Sequence, residues 1–367
     1  MRHAVIIGGG VAGSVAAAVL ARAGHAPLLF ERSSAAQHKV CGEFLSWEAA
    51  DGLRAAGFDA HAIGGSRIGQ VRLFAGRRAV TAALPRPAIG ISRLVLDEAL
   101  LAHASSCGAR IERGAVVRAA TTCAGGFDLD VDGVTLRARE LLLATGKTTL
   151  RGLARRIEGQ QVTDDLVGFK AHYRLRPAQT KAIAGAVELH LSGAGGYAGL
   201  QLVEGAKANL CLLLPRGKLA AGSVAWEHAL AELCAASPNL GERLAGAEML
   251  FDRPLAISGV PYGFVHCAAD DDPPGLTRLG DQFAVVHSFT GDGMAMAVAS
   301  GAMTAGVEGG GRSFHAALAR RVRRPVRLSA ALHACLRLSP SGAGVVAILA
   351  LCPPLLTAIA RLTRVRA

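Results

Sequence analysis

The sequence predicts an α/β protein of two lobes with a helical C-terminal segment, and three observations predict it. First, 367 residues that are 51% hydrophobic and 19% charged, with mean hydropathy +0.34, can bury a sizeable core. That composition excludes a disordered chain. Second, the opening stretch reads as strand, glycine turn, helix, strand within about thirty residues, a compact βαβ unit. Third, residues from about 166 to 265 change to short strands separated by Gly-rich turns, after which the first pattern resumes. The expected architecture is therefore a discontinuous Rossmann-like lobe with an inserted mixed or antiparallel β-sheet lobe. Aromatics are only 4% and Gly is 45 residues, so Ala, Val and Leu must build most of the core.

Taken in order, residues 3 to 7 form an apolar strand that stops at Gly8-Gly9-Gly10. Val11 to Ala23 follows as an Ala-rich helix, ended by Gly24. Pro27 to Phe30 is a second strand, closed by Glu31. A polar stretch from Ser33 to Ser46 leads into a helix through Ala56 that stops at Gly57. Gln70 to Leu84 alternates as a hairpin, and Ser92 to Ser106 is helical. Arg110 to Val117, Phe127 to Leu136 (interrupted by a turn at Asp132-Gly133) and Glu140 to Ala144 read as strands. In the inserted lobe, Val167 to Leu175, Val187 to Leu191, Tyr197 to Val203 and Ala208 to Leu214 are strands, and Trp226 to Cys234 is a helix. Gly280 to Val286 is expected as a returning strand, and Gly291-Asp292-Gly293 opens a helix of small residues running to about Ala305. Helices fill the remainder.

The net charge is +12 and the pI about 9.9, and of 40 basic residues only six are Lys. The Arg residues are scattered apart from Arg320, Arg321, Arg323, Arg324 and Arg327, a cluster without interleaved aromatics or a DNA- or RNA-binding signature. Nucleic-acid binding is not expected. Eight cysteines include no CxxC pair and no zinc spacing, so free thiols in a reducing cytoplasm and no metal site are expected. The chain opens at once on a strand, leaving no room for a signal peptide.

Gly8-x-Gly10-x-x-Gly13 has a mechanism at this position. Gly8 permits a tight turn, Gly10 lets a pyrophosphate approach the backbone, and Gly13 lets helix and strand pack closely. Free N–H groups and the helix dipole then face the phosphates. Glu31, at the end of the second strand, is placed to accept hydrogen bonds from ribose hydroxyls. Two distant segments extend the pattern. Leu143-Ala144-Thr145-Gly146 ends a strand in a small-residue turn. Leu279-Gly280-Asp281 puts an acid at another turn, ten residues before the helix that opens at Gly291.

With these segments the sequence resembles the FAD-dependent enzymes of the para-hydroxybenzoate hydroxylase fold, and more narrowly their geranylgeranyl reductase-like branch. The likeness spans nearly the whole chain. It includes Lys39-Val40-Cys41-Gly42-Glu43, similar to the branch's Cys-Gly segment beside the flavin, and Arg93 with Asp97. The resemblance implies bound FAD. Gly8, Gly10, Val11, Ala12, Gly13, Glu31 and Arg32 would hold the ADP half, with Val117 against adenine. Arg93 and Asp281 would bind the pyrophosphate and ribityl region, with Ala144, Thr145, Gly146, Cys41 and Gly42 close by. The helix opened by Gly291, Asp292, Gly293 and Met294 would aim its positive end at the flavin. The chain departs from the pattern at Thr145, where Asp is usual, and at Gly199, Leu202 and His287.

The same resemblance divides the chain into an FAD-binding lobe (1–65, 86–165 and 270–325), a substrate-binding sheet lobe (66–85 and 166–269) and C-terminal helices (326–367). Only one dinucleotide unit is present, so NAD(P)H is expected as a transient reductant. This suits a monooxygenase hydroxylating a hydrophobic aromatic or polyketide-like molecule, which needs a dry pocket. The rivals are a flavin-dependent reductase of isoprenoid double bonds and a flavin-binding accessory protein without turnover. The Trp-rich halogenase segment is absent. Cys41 and Glu43, Tyr197 and His287 are the candidate catalytic groups, each weighed against an ordinary packing role. Ser339 to Ala360 carries no charge and is long enough to span a bilayer, but Pro340, Pro353 and Pro354 break it. Peripheral membrane contact, a lid over the substrate channel and ordinary helix packing are the alternatives to a span. Membrane contact or a lid would go with a lipophilic substrate; the protein is expected in the cytoplasm, membrane-associated in the first case.

Overall fold

The computed structural model describes residues 4–157, 160–193, 195–219, 225–267, 272–306, 311–339 and 341–365. Pro340 lies outside them. The strand Ala4–Ile7 is fully buried and runs between Glu140–Leu143 and Leu28–Glu31 in a parallel sheet. The sheet has five strands, in the order 276–278, 140–143, 4–7, 28–31, 110–113. Continuous apolar runs are what a sheet covered on both faces requires. The helix Val11–Arg22 crosses from the first strand to the second, and Gly24, at φ 81°, follows it.

That helix packs against Gly293–Ala302, and small residues are the reason they can touch. A Cβ on Gly301 would stand 2.6 Å from the Ala12 carbonyl oxygen. Small side chains thus trade contact area for close backbone approach, and larger neighbours such as Leu20, Phe283 and Phe314 fill the core around them. The helix Arg93–Ser106 begins at Ser92, whose Oγ accepts the Val95 N–H at 3.2 Å. Ser46 caps Trp47–Ala55 in the same way.

The second sheet has nine strands. The hairpin Ser66–Ala75 with Arg78–Gly90 is longer than its alternation suggested, and it joins the inserted lobe by parallel pairing with Ala186–Gly193. Antiparallel strands Gly196–Leu202, Ala208–Pro215 and Leu166–Arg174 follow in turn. Two short helices, Pro177–Ile183 and Pro238–Leu244, also belong to this lobe; neither was expected.

Two expectations are corrected. The returning strand is Leu276–Arg278, not Gly280 to Val286; Gly280 has φ 54° and opens a single 3-10 turn, so the parallel strand ends before it. Arg110 to Val117 is not one strand. It breaks after Arg113, at Gly114 with φ 74°, and Val117–Cys123 begins a separate three-stranded sheet. The chain ends in helices Gly311–Leu338, Ala343–Leu351 and Pro353–Leu362.

Candidate functional site

Both lobes wall one cavity of about 950 Å³. Its floor is the glycine turn. Gly8 has φ 105°, and a Cβ there would lie 2.5 Å from the Ala144 carbonyl oxygen. Gly13 faces inward, where a Cβ would meet the Gly8 carbonyl oxygen at 1.9 Å. It therefore sets the turn's shape and does not itself line the cavity, a correction to its expected cofactor contact. Above Gly10 a Cβ would find only the tips of Arg93 (3.3 Å) and Lys39 (3.9 Å). The helix that starts there has neither a side-chain cap nor an acid in its first turn. Exposed N–H donors, the helix dipole and two cations thus converge on one open spot, a site for an anion such as a pyrophosphate.

The two cations are held by one acid. Arg93 donates twice to Asp97, at 2.7 and 2.8 Å, and Lys39 pairs with the same carboxylate at 2.9 Å. Burial alone would push the Asp97 pKa up, but Arg93 and Lys39 more than offset it and hold the carboxyl below its usual range. Glu31 does more structural work than expected. Its Oε2 accepts the Gly9 N–H at 2.7 Å and its Oε1 the Ser33 N–H at 3.0 Å, so it braces the turn while bordering the cavity.

Val11, Ala12, Arg32, Cys41, Gly42, Val117, Ala144, Thr145, Gly146 and Asp281 all border the cavity. The 145–148 turn is tied to the distant 281–282 turn: Gln282 Nε2 donates to the Gly146 and Thr148 carbonyls at 2.7 and 2.9 Å. Arg155 bridges the Gly146 and Asp281 carbonyls at 3.2 and 3.1 Å. Lys147 borders the cavity here; burial opposes its charge most, but Asp281, Tyr262 and nearby thiols together outweigh it and keep its pKa above the usual lysine range. Opposite, Gly291, Gly293 and Met294 present the start of a second helix that has no side-chain cap and no acid in its first turn.

Asp292 is a correction. It does not face the cavity; it is fully buried and accepts from Arg364 Nη1 at 2.8 Å. Burial raises its pKa to about 6 despite that partner. The Arg364 guanidinium also lies over Trp47 and Phe44, 4.9 and 5.5 Å from their ring centroids. His287 is corrected as well. Its ring stacks on Tyr262 and His333, at 5.1 and 4.2 Å between centroids, away from the cavity. Burial and the neighbouring His333 depress its pKa to about 3, so it stays neutral and packs the C-terminal helix.

The segment 39–43 is clamped against the inserted sheet. Glu43 takes φ 57°, unusual for a side-chain residue, and is completely buried. Its carboxylate pairs with the buried Lys170 and His172 (2.7 Å to His172) and accepts the Arg93 N–H at 2.8 Å. Burial would raise the Glu43 pKa; the His172 hydrogen bond and the Lys170 charge more than cancel that and lower it. Gln201 Nε2 donates to the Glu43 carbonyl at 2.7 Å and Asn209 Nδ2 to the Gly42 carbonyl at 2.9 Å. Glu43 borders the cavity, but its carboxylate is spent on these partners, so it is a positioning residue for Cys41's segment rather than a catalytic group. The one sequence signal for this clamp was the polar pair Lys170 and His172, two apart on an apolar strand and so on one face. In register, His172 faces Asn209, which faces Gln201.

Cys41 and Tyr197 do meet the cavity. Cys41 Sγ accepts the Glu43 N–H at 3.3 Å. The Tyr197 hydroxyl donates to Ser288 Oγ at 2.9 Å, and its pKa is well above the usual value because it is buried. Beyond them the wall is apolar: Val71, Leu73, Leu189 and Leu213 from the sheet, then Leu349 and Leu356 from the C-terminal helices.

Neither of two His-containing clusters is arranged for a metal. Lys170 sits on the carboxylate between His38 and His172. In the other, His315 Nε2 accepts the Arg278 N–H, which leaves its Nδ1 carrying the proton toward Asp272.

The glycine turn, the converging helix starts and the sheet lobe across the cavity define the fold of FAD-dependent enzymes of the para-hydroxybenzoate hydroxylase type. Residues 2–141 match the family model of an FAD binding domain. Solved structures agree over nearly the whole chain. A geranylgeranyl bacteriochlorophyll reductase-like protein from Thermoplasma acidophilum superposes with TM-score 0.77 at 17% identity, covering 98% of this chain and 96% of its own. The flavin-dependent brominase Bmp2 gives 0.78 at 18% identity, with 99% and 93% covered. Halogenase PltM, solved in complex with phloroglucinol and FAD, gives 0.74 at 14% identity, with 92% and 76% covered. No curated protein sequence matches the chain. The chain thus matches an FAD binding domain over residues 2–141 and shares the fold of these flavin-dependent proteins over nearly its whole length.

Proposed function

We propose that the protein is an FAD-dependent monooxygenase that hydroxylates a hydrophobic aromatic or polyketide-like molecule, with NAD(P)H as a visiting reductant. One observation carries the reading: the anion-binding glycine turn and an apolar chamber are parts of a single cavity. FAD bound there would supply electron transfer and activation of oxygen. Gly10, Arg93 and Lys39 would hold its pyrophosphate, and the start of Gly293–Ala302 would favour negative charge on its ring system. The leucine- and valine-lined chamber excludes water and selects a lipophilic substrate. The linked Tyr197 and Ser288 hydroxyls offer the substrate a polar anchor in a mostly apolar wall.

Reduction of an isoprenoid double bond is the second reading. It is favoured by Cys41, a thiol at the chamber wall on a rigidly clamped segment, and by the near-equal length of the reductase-like neighbour. Purified protein, its released cofactor analysed by mass spectrometry, tests the first step. Stopped-flow NAD(P)H oxidation with phenolic and isoprenoid substrates tests the rest. Oxygen uptake with a product one oxygen heavier supports hydroxylation, and anaerobic consumption of an alkene replaces it with reduction. Absence of any reduction by either nucleotide leaves a non-turnover role.

A further inference from the structure

The C-terminal helices have two apolar faces, and the cavity uses only one. Leu349, Leu356 and Ile359 line it. On the other side Leu351 is 88% exposed, Ile348 63%, Leu362 49% and Leu355 43%. Among the described residues, only six large hydrophobic side chains are at least this exposed, and these four plus Leu338 belong to the last three helices. Cys352, Pro353 and Pro354 complete a bare corner between the last two helices. An ordinary soluble surface scatters such side chains rather than gathering them.

The C-terminal segment carries charge of one sign. Residues 309–367 contain ten Arg and no Asp or Glu. Arg320, Arg323, Arg324 and Arg327 share a surface groove with Leu328 and Leu362, so the basic ridge of Gly311–Leu338 borders the apolar helix directly. These four guanidinium groups are exposed and enter no ion pair among the described residues. Arg361, also exposed, precedes Leu362 in sequence and adds a further positive charge to the same helix. No single helix among the described residues is long and apolar enough to cross a bilayer. The segment 339–360 is instead divided at Cys352 into two short helices.

We propose that this corner docks on an anionic lipid bilayer, with Ile348, Leu351, Leu355 and Leu362 in the acyl boundary and the Arg320–Arg327 ridge on the headgroups. Apolar insertion plus a polybasic patch is the two-signal arrangement that peripheral attachment requires. The docking itself does not depend on which reaction the cavity performs.

The experiment is flotation of the full-length holoprotein with phosphatidylcholine vesicles, with and without phosphatidylglycerol. Binding is expected only with phosphatidylglycerol, and it should weaken as salt shortens the screening length. The double variants Arg320→Glu/Arg324→Glu and Leu351→Glu/Leu355→Glu should each lose at least about tenfold in affinity, since each surface Arg near anionic lipid is worth roughly fivefold. Both pairs are exposed, so flavin content should stay at the wild-type level and report intact folding. Three results would overturn the proposal: no flotation with anionic vesicles at low salt, equal binding by the variants, or a dimer in light scattering that the leucine pair abolishes. The last would assign the corner to a second copy of the chain.

Discussion

Asp292 shows how much one buried carboxylate can couple. It precedes the helix that faces the cofactor cavity, yet among the described residues its only charged partner is Arg364. Removing that partner strands a charge in the interior, which typically costs about 3 kcal/mol. Arg364→Met should therefore lower stability by that order in urea titration. Arg364→Met/Asp292→Asn should recover a large part of the loss, because the uncompensated charge is then gone. A double variant no better than the single one would mean that the guanidinium acts through its stacking on Trp47 and Phe44 instead.

At the scale of an element, the 39–43 segment is ordered by strands that follow it by more than a hundred residues. Lys170 and His172 hold Glu43 from one strand, while Asn209 and Gln201 hold its backbone from the next two. Lys170→Met should leave Glu43 underpaired and loosen the clamp. Amide exchange at residues 41–43 should then accelerate at least about tenfold, if local opening becomes easier by only ~1.4 kcal/mol. The five-stranded sheet should keep its protection, since none of its strands touches this carboxylate. Unchanged exchange at 41–43 would show that the backbone hydrogen bonds suffice without the ion pair.

The whole molecule carries several buried or half-buried histidines as neutral rings. His287 and His315 are depressed to about 3, burial being the first cause, and His38 is lowered to about 4. The sign follows directly. A group with a depressed native pKa stabilises the fold above its unfolded value, near 6.5, and that contribution is lost as the pH falls toward the native value. Each of His287 and His315 should remove about 2 kcal/mol between pH 6.5 and 5. Asp292, raised to about 6, has the opposite sign and offsets on the order of 1 kcal/mol over that interval. Urea midpoints should thus fall steadily from pH 7 to 5, and a flat profile would contradict neutral burial of these rings.

The amino-acid pattern alone determined the parts that depend on neighbours in sequence. Strand, glycine turn and helix at residues 4–22 are local, because Gly8 needs a positive φ and Gly13 a missing Cβ whatever else the chain does. The likeness carried by Gly8, Gly10 and the distant turns was equally legible, since turn chemistry leaves a residue signature. Tertiary structure alone decided which polar groups face the cavity. Asp292 and His287 lie in cofactor-adjacent segments but turn inward, because Arg364 and His333 approach from the C-terminal helices. Lys170, Asn209 and Gln201 became partners of one segment only through strand register, which no local pattern encodes. Long-range pairing is set by the energy of the assembled lobes, so those roles emerge only when the lobes close on each other.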